Sequence, residues 1–261
     1  MTVPIVFDRR TYAARRGRAA RSAGDQFLVH QIAESMAERL GAVKKSFSHG
    51  LDLGSRSTSF ARLAQYAGYW VRTGLSPADE AVSLVADEEA LPFAGRSFDL
   101  VVSVLSLHAV NDLPGALLQI RRALKPDGLF LAALFGGATL GELRRAFAAG
   151  EVEQRGGASP RVAPFGDVRD MGQLLQRAGF TQPVADLDRI VVRYTSFATI
   201  VKDLRALGET NSLVSRDRSP LRRDVLRAVL AHYASRDADD QGKLTATFDI
   251  VSLTGWSAGP D

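Results

Sequence analysis

The chain has 261 residues, 46% of them hydrophobic and 24% charged, an ordinary balance for a globular protein long enough to bury one large core. It contains no cysteine, which excludes disulfides, thiolate metal sites and a cysteine nucleophile. The formal net charge is only +4, and the absence of an apolar run of about 18 residues predicts no transmembrane helix, leaving only peripheral membrane association open.

The first stretch concentrates its charge. Arg9, Arg10, Arg15, Arg16, Arg18 and Arg21 are opposed by Asp8 alone before Asp25. Residues 1–25 therefore read as a basic N-terminal arm, solvated or turned toward an anionic partner, and the composition also suits a transit peptide. Its only aromatic residues before 22 are Phe7 and Tyr12, too few for a nucleic-acid surface, so no nucleic acid is expected. Phe27, Leu28, Ile32, Met36 and Leu40 recur at helical spacing and predict a helix over 26–41. Residues 50–54 predict a short buried strand ending in a glycine turn, 57–67 a helix, 69–71 a second strand and 82–85 a third. The run 98–105 is too continuously apolar for a strand with one wet face. A helix over 114–124, a turn at Asp127-Gly128 and a strand over 129–135 follow. Further helices are predicted at 139–149, 167–178, 197–207 and 220–235. Strands at 184–194 and 244–253 would extend the sheet antiparallel, and 156–160 is a loop by its glycines and proline.

Strands alternating with helices predict a doubly wound, mainly parallel α/β sheet with an antiparallel addition. The simplest organisation is a single domain over 26–261 with helical additions about 139–180 and 196–236. Ligands of such sheets lie outside the carboxyl ends of the strands. That rule selects Asp52, Gly54 and Ser55 after the first strand, Thr73 after the second, Asp87 and Glu88 after the third, and Ser103 and Leu105 on the fourth. Asp52-Leu53-Gly54-Ser55 has the frame of a nucleoside-cofactor loop, in which glycine lets the backbone approach the ligand and a helix offers free N–H groups. The same residues also describe an ordinary strand-to-helix turn capped by Ser57 or Ser59. Asp87 and Glu88 suit acceptance of an adenine amino group, or simply a solvated acidic turn. Of the four histidines, His108 falls at the rim of the expected pocket and is the candidate catalytic group; its alternative is a satisfied structural histidine. No tight pairing of histidine with a carboxylate offers an iron face, so no metal ligand is assigned. A Gly-x-Ser-x-Gly elbow and a phosphate loop are both missing.

The order Asp52-Leu53-Gly54, Asp87-Glu88-Glu89-Ala90-Leu91-Pro92-Phe93, Ser97 to Ser103, and Leu124 to Gly128 resembles the class I S-adenosylmethionine-dependent methyltransferases. More narrowly, the chain resembles the respiratory complex I assembly factor 5 family, nearly end to end. Val6 to Arg9, Leu105 to His108, Val110 to Pro114, Phe135-Gly136-Gly137 with Thr139-Leu140 and Glu142-Leu143-Arg144, Gly208-Glu209 with Asn211, and Gly255-Trp256 carry that resemblance. It implies the methyltransferase fold, S-adenosylmethionine as that fold's cofactor, a complex I subunit as protein substrate and hydroxylation of an arginine side chain. It implies a place in the bacterial cytoplasm or the mitochondrial matrix. The chain departs from the family pattern where further glycines follow Asp-Leu-Gly, since Arg56 and Thr58 stand there, and where an acid ends the second strand, since Thr73 follows Arg72. Three functions stand at this level: an assembly factor modifying an arginine, a methyltransferase acting on a small molecule or carboxyl group, and a non-catalytic scaffold. Arg56 is open in the same way. It blocks the cofactor, holds an anion together with Ser55, Ser57, Thr58 and Ser59, or simply points to solvent or pairs with a nearby acid such as Asp87 or Glu88.

Overall fold

The computed structural model describes residues 4–22, 24–77 and 82–259. In chain order the elements are α1 (Arg9–Ala20), α2 (Phe27–Gly41), β1 (Phe47–Asp52), α3 (Ser57–Leu63), β2 (Ala67–Gly74), β3 (Leu84–Val85), β4 (Phe98–Val104), α4 (Leu113–Ala123) and β5 (Leu124–Phe135). Then come α5 (Gly141–Arg155), α6 (Val168–Arg177), β6 (Thr181–Tyr194), α7 (Phe197–Leu207), α8 (Arg223–Asp237) and β7 (Leu244–Trp256). The strands form one seven-stranded sheet in the order β3-β2-β1-β4-β5-β7-β6. Pairs among β1 to β5 are parallel, while β7 runs antiparallel to both β5 and β6. The order reverses between β1 and β4, which puts a crevice at the carboxyl ends of those two strands.

Alternation along the central strands explains the layers. Leu100, Val102 and Val104 of β4 and Leu129, Leu131 and Phe135 of β5 join Leu28, Ile32, Met36, Leu143, Val229 and Tyr233 in one buried cluster. Val101 and Phe130 face the other way, into a cluster with Leu117, Ile120, Leu175 and Phe180. A strand buried on both faces needs apolar residues at every position, which is why 98–105 lacks polar alternation. The turn expected at Asp127-Gly128 lies within β5 as an irregularity. The register jumps between Phe98 and Leu100, and Asp127 takes φ 58°. The third strand is shorter than predicted, two residues against β2.

The largest departure from expectation concerns the N-terminal arm. Among the described residues of 1–25, the chain is helical and docked. Asp8 caps α1, accepting from the Thr11 backbone N–H at 2.9 Å and from the Thr11 hydroxyl at 2.6 Å. The Thr11 hydrogen bonds, with Arg216 beyond them, outweigh the small desolvation and hold the Asp8 carboxyl at about 2. Asn111 accepts the backbone N–H groups of Val6 and Phe7, and the Asp8 N–H donates to the Ser212 carbonyl. Phe7 and Tyr12 are buried with Ala109 and Leu213 in a small third cluster. Gly208 ends α7 at φ 74°, and a Cβ there would fall 3.0 Å from Arg16 Cδ, so a glycine is required where α1 crosses. Arg10, Arg18 and Arg21 remain exposed; Arg9, Arg15 and Arg16 do not.

Candidate active site

The crevice at the ends of β1 and β4 is lined by Gly54, Ser55, Gly74, Glu88 and Ser106, with Tyr12, Arg16 and Gly17 of α1 closing it. Each residue selected from the strand ends is accounted for by a contact within the protein. Asp52 is buried and accepts from the Ser55 hydroxyl. Thr73 is fully buried, its hydroxyl on the Asp52 carbonyl at 3.4 Å. Ser103 donates to the Leu53 carbonyl at 2.9 Å. Arg72 lies over the Phe60 ring at 3.8 Å and donates to Ser55. Asp87 is bridged by Arg9 at 2.7 Å, and Glu88, only 1% exposed, receives both Arg9 and the Ser106 hydroxyl. The expected solvated acidic turn is thus half wrong: Asp87 is partly exposed, while Glu88 is an interior anion.

Leu105, directly after β4, adopts φ 49°, a conformation that costs a non-glycine residue roughly 1–3 kcal/mol. The turn aims its carbonyl at two guanidiniums, Arg16 at 3.1 Å and Arg56 at 3.0 Å. Arg56 is neither at the surface nor paired with Asp87 or Glu88. It is 4% exposed, donates to the Leu207 carbonyl at 2.6 Å and binds the Glu209 carboxylate at 2.8 Å. Burial and the neighbouring Arg16 pull its guanidinium down to about 10, against the opposing pull of Glu209. The anion beside the loop is therefore supplied by the chain itself. Glu209 also receives Tyr12 at 3.2 Å and His108 Nε2 at 3.0 Å. Burial pushes its carboxyl up, but His108, Arg56 and Arg16 together outweigh burial and hold it at about 2.

His108 stands on the far side of Glu209 from Arg56's loop and faces a second, apolar pocket. Its side chain is only 2% exposed, a wall residue more than a rim residue. The ring sits 4.7 Å from Phe135 and 5.6 Å from Phe165, centroid to centroid, with Tyr12 edge-on behind. The pocket has a volume of about 140 Å³ and is walled by Phe135, Phe165, Phe248, Leu140, His108 and Glu209. Its mouth is held by Glu151, which is fully buried and accepts from Arg161 and from the Ser159 backbone N–H, while Asn211 donates to the Pro160 carbonyl. Its Nε2 lies 3.0 Å from the Glu209 carboxylate, and its buried Nδ1 meets no hydrogen-bond partner among the described residues. Among the described residues no cluster of His, Asp and Glu has the arrangement of a metal site, and no helix is long and apolar enough to cross a membrane.

Sequence reasoning chose His108 and missed Glu209, the residue that links it to Arg16 and Arg56. The available signal was Gly208-Glu209, a charged residue directly after a helix-ending glycine.

Three comparisons bear on this geometry. A family model described as "Methyltransferase domain" matches residues 25–182. The human protein named "Arginine-hydroxylase NDUFAF5, mitochondrial" is 38% identical over 265 residues, spanning 96% of this chain and 76% of that protein. Among solved structures, YcgJ from Bacillus subtilis superposes with a TM-score of 0.61 at 14% identity, covering 88% of this chain and all of that one. The N-methyltransferase NodS from Bradyrhizobium japonicum, in complex with S-adenosyl-L-homocysteine, superposes with a TM-score of 0.51 at 12% identity, covering 95% and 98%. These two likenesses establish the architecture, a class I methyltransferase fold.

Proposed function

The chain belongs to the family of the arginine-hydroxylase NDUFAF5 and carries a methyltransferase domain, and from that premise we propose that it acts on an arginine side chain of a protein partner. The reaction that family membership suggests is hydroxylation of a respiratory complex I subunit during assembly, in the bacterial cytoplasm or the mitochondrial matrix. The observation that carries this reading is the aromatic pocket with the His108–Glu209 pair in its wall. An apolar cavity of about 150 Å³ admits benzene, so about 140 Å³ suits a planar guanidinium with part of its stem. Aromatic faces attract such a cation by about 0.5–2 kcal/mol, and the Glu209 carboxylate lines the same pocket and holds the imidazole in place through Nε2. The exposed Arg10 and Arg18 of α1 and Arg21 just after it favour a partner with an acidic surface and speed encounter with it.

The test is mass spectrometry of complex I subunits from cells with and without the gene. The expected result is an arginine carrying one extra oxygen in wild-type cells only, lost when Phe165→Ala or His108→Ala replaces the native chain. Arginines that are unmodified in wild-type cells would sink the reading.

A further inference from the structure

We propose that helix α1 takes the place of S-adenosylmethionine in this chain: the methyltransferase fold is kept, and its nucleoside cradle is filled by the protein's own N-terminal segment. Free space comes first. The crevice retains about 20 Å³, room for roughly one water, whereas small-molecule pockets run to about 300–1,000 Å³. The residues that shrink it are named: Tyr12, Arg16 and Gly17 from α1, with Ser106 and Glu88 from below.

The glycine itself gives a second, independent measure. Gly54 keeps φ 69°, the geometry that lets a ligand approach bare backbone. A Cβ on it would lie 2.1 Å from Ser106 Oγ and 2.9 Å from Glu88 Oε1. What approaches the bare backbone here is therefore the chain's own serine and glutamate.

The polar groups complete the case. In this fold the acids after β3 would meet an adenine amino group, and carbonyls after β1 and β4 would meet the cofactor's cationic end. Here Arg9 binds Asp87 and Glu88, and it also donates to the Ala109 carbonyl at 2.9 Å. Arg16 donates to the Gly54 carbonyl at 3.0 Å and to the Leu105 carbonyl at 3.1 Å. Two guanidiniums, seven residues apart on one helix and so on one face of it, supply the cationic groups that the cradle's acceptors require. Thr73 has turned its hydroxyl inward to the Asp52 carbonyl and away from the crevice. Arg56, on the loop after β1, pairs with Glu209.

This inference stands apart from the arginine-directed reading, whose pocket is lined by other residues, Glu209 among them, so each survives the failure of the other. Its test uses the full chain. Calorimetry with S-adenosylhomocysteine and with S-adenosylmethionine should give no saturable binding up to about 1 mM; saturable binding below that concentration by the wild type would overturn the proposal. Hydrogen exchange gives the second readout. Amides of α1 should be protected in the wild type and lose protection at least about tenfold in Arg9→Ala/Arg16→Ala, with β4 amides unchanged. An α1 that exchanges like free peptide in the wild type, or that stays equally protected in the double variant, would overturn it as well.

Discussion

Two hollows of the molecule, one lined by Glu88 and the other by Glu209, have opposite characters. The one above Gly54, where the fold would hold a nucleoside, is crowded with ionic groups that pair among themselves. The one beside Phe135 and Phe248 is larger and apolar. A buried charge is stable only when paired, so the first hollow is a structural joint: arginines from α1 and the loop, acids from β3's end and α7's end. The second leaves about 140 Å³ open in an interior otherwise packed as densely as an organic crystal. The contrast teaches that the crevice at the strand ends and the apolar hollow need not coincide.

The comparison can be broken most forcefully at Glu209. Replacing it with Ala would leave Arg56 buried beside Arg16 without their carboxylate, and removing one partner of a buried pair costs roughly 3–5 kcal/mol. Urea unfolding should show that loss; a change below about 1 kcal/mol would mean that the crowded hollow is solvated after all. The same carboxyl gives a pH signature. Its folded value, about 2, lies below the ordinary 4.5. The stability it supplies is therefore complete above about 4.5 and is lost as pH falls toward 2. Acid titration of the wild type should show this decline, and Glu209→Gln should lack that part of it.

A smaller effect is expected at Gly54. Ala there must both hold φ 69° and displace Ser106, for a cost of about 1–3 kcal/mol. If thermal unfolding showed only a few tenths, Ser106 would be free to move and the crevice would be looser than it looks. The mildest test is Asp8→Ala, which removes the α1 cap. The expected loss is about 1 kcal/mol, concentrated in exchange protection of α1. A loss spread evenly over the sheet would mean that α1 and the sheet unfold as one unit.

How much of this could be read in advance depends on the range of the interaction. Leu100, Val102 and Val104 against Val101 announce a strand buried on both faces because the period is local, and the helix over 27–41 announces itself through Ile32 and Met36 for the same reason. His108 was visible because few side chains have its chemistry. Arg56 and Glu209 were not visible as a pair, since 153 positions separate them and neither periodicity nor composition couples such distant residues. The docking of α1 was hidden more deeply. An arginine-rich segment reads as a wet one unless the carbonyl of Leu105 and the acids at 87 and 88 are already known to need it.

Arg56 has a further consequence, for what single mutations can reach. In the family pattern the position belongs to glycine, yet a return to glycine here would strip Glu209 of its 2.8 Å partner and open a void beneath Leu207. A neutral partner at 209 would have to arrive first or together with it, so the double change Arg56→Gly/Glu209→Gln should cost less than the sum of its parts. Arg56 and Glu209 thus constrain each other: a change at either position alone leaves the other without its 2.8 Å partner.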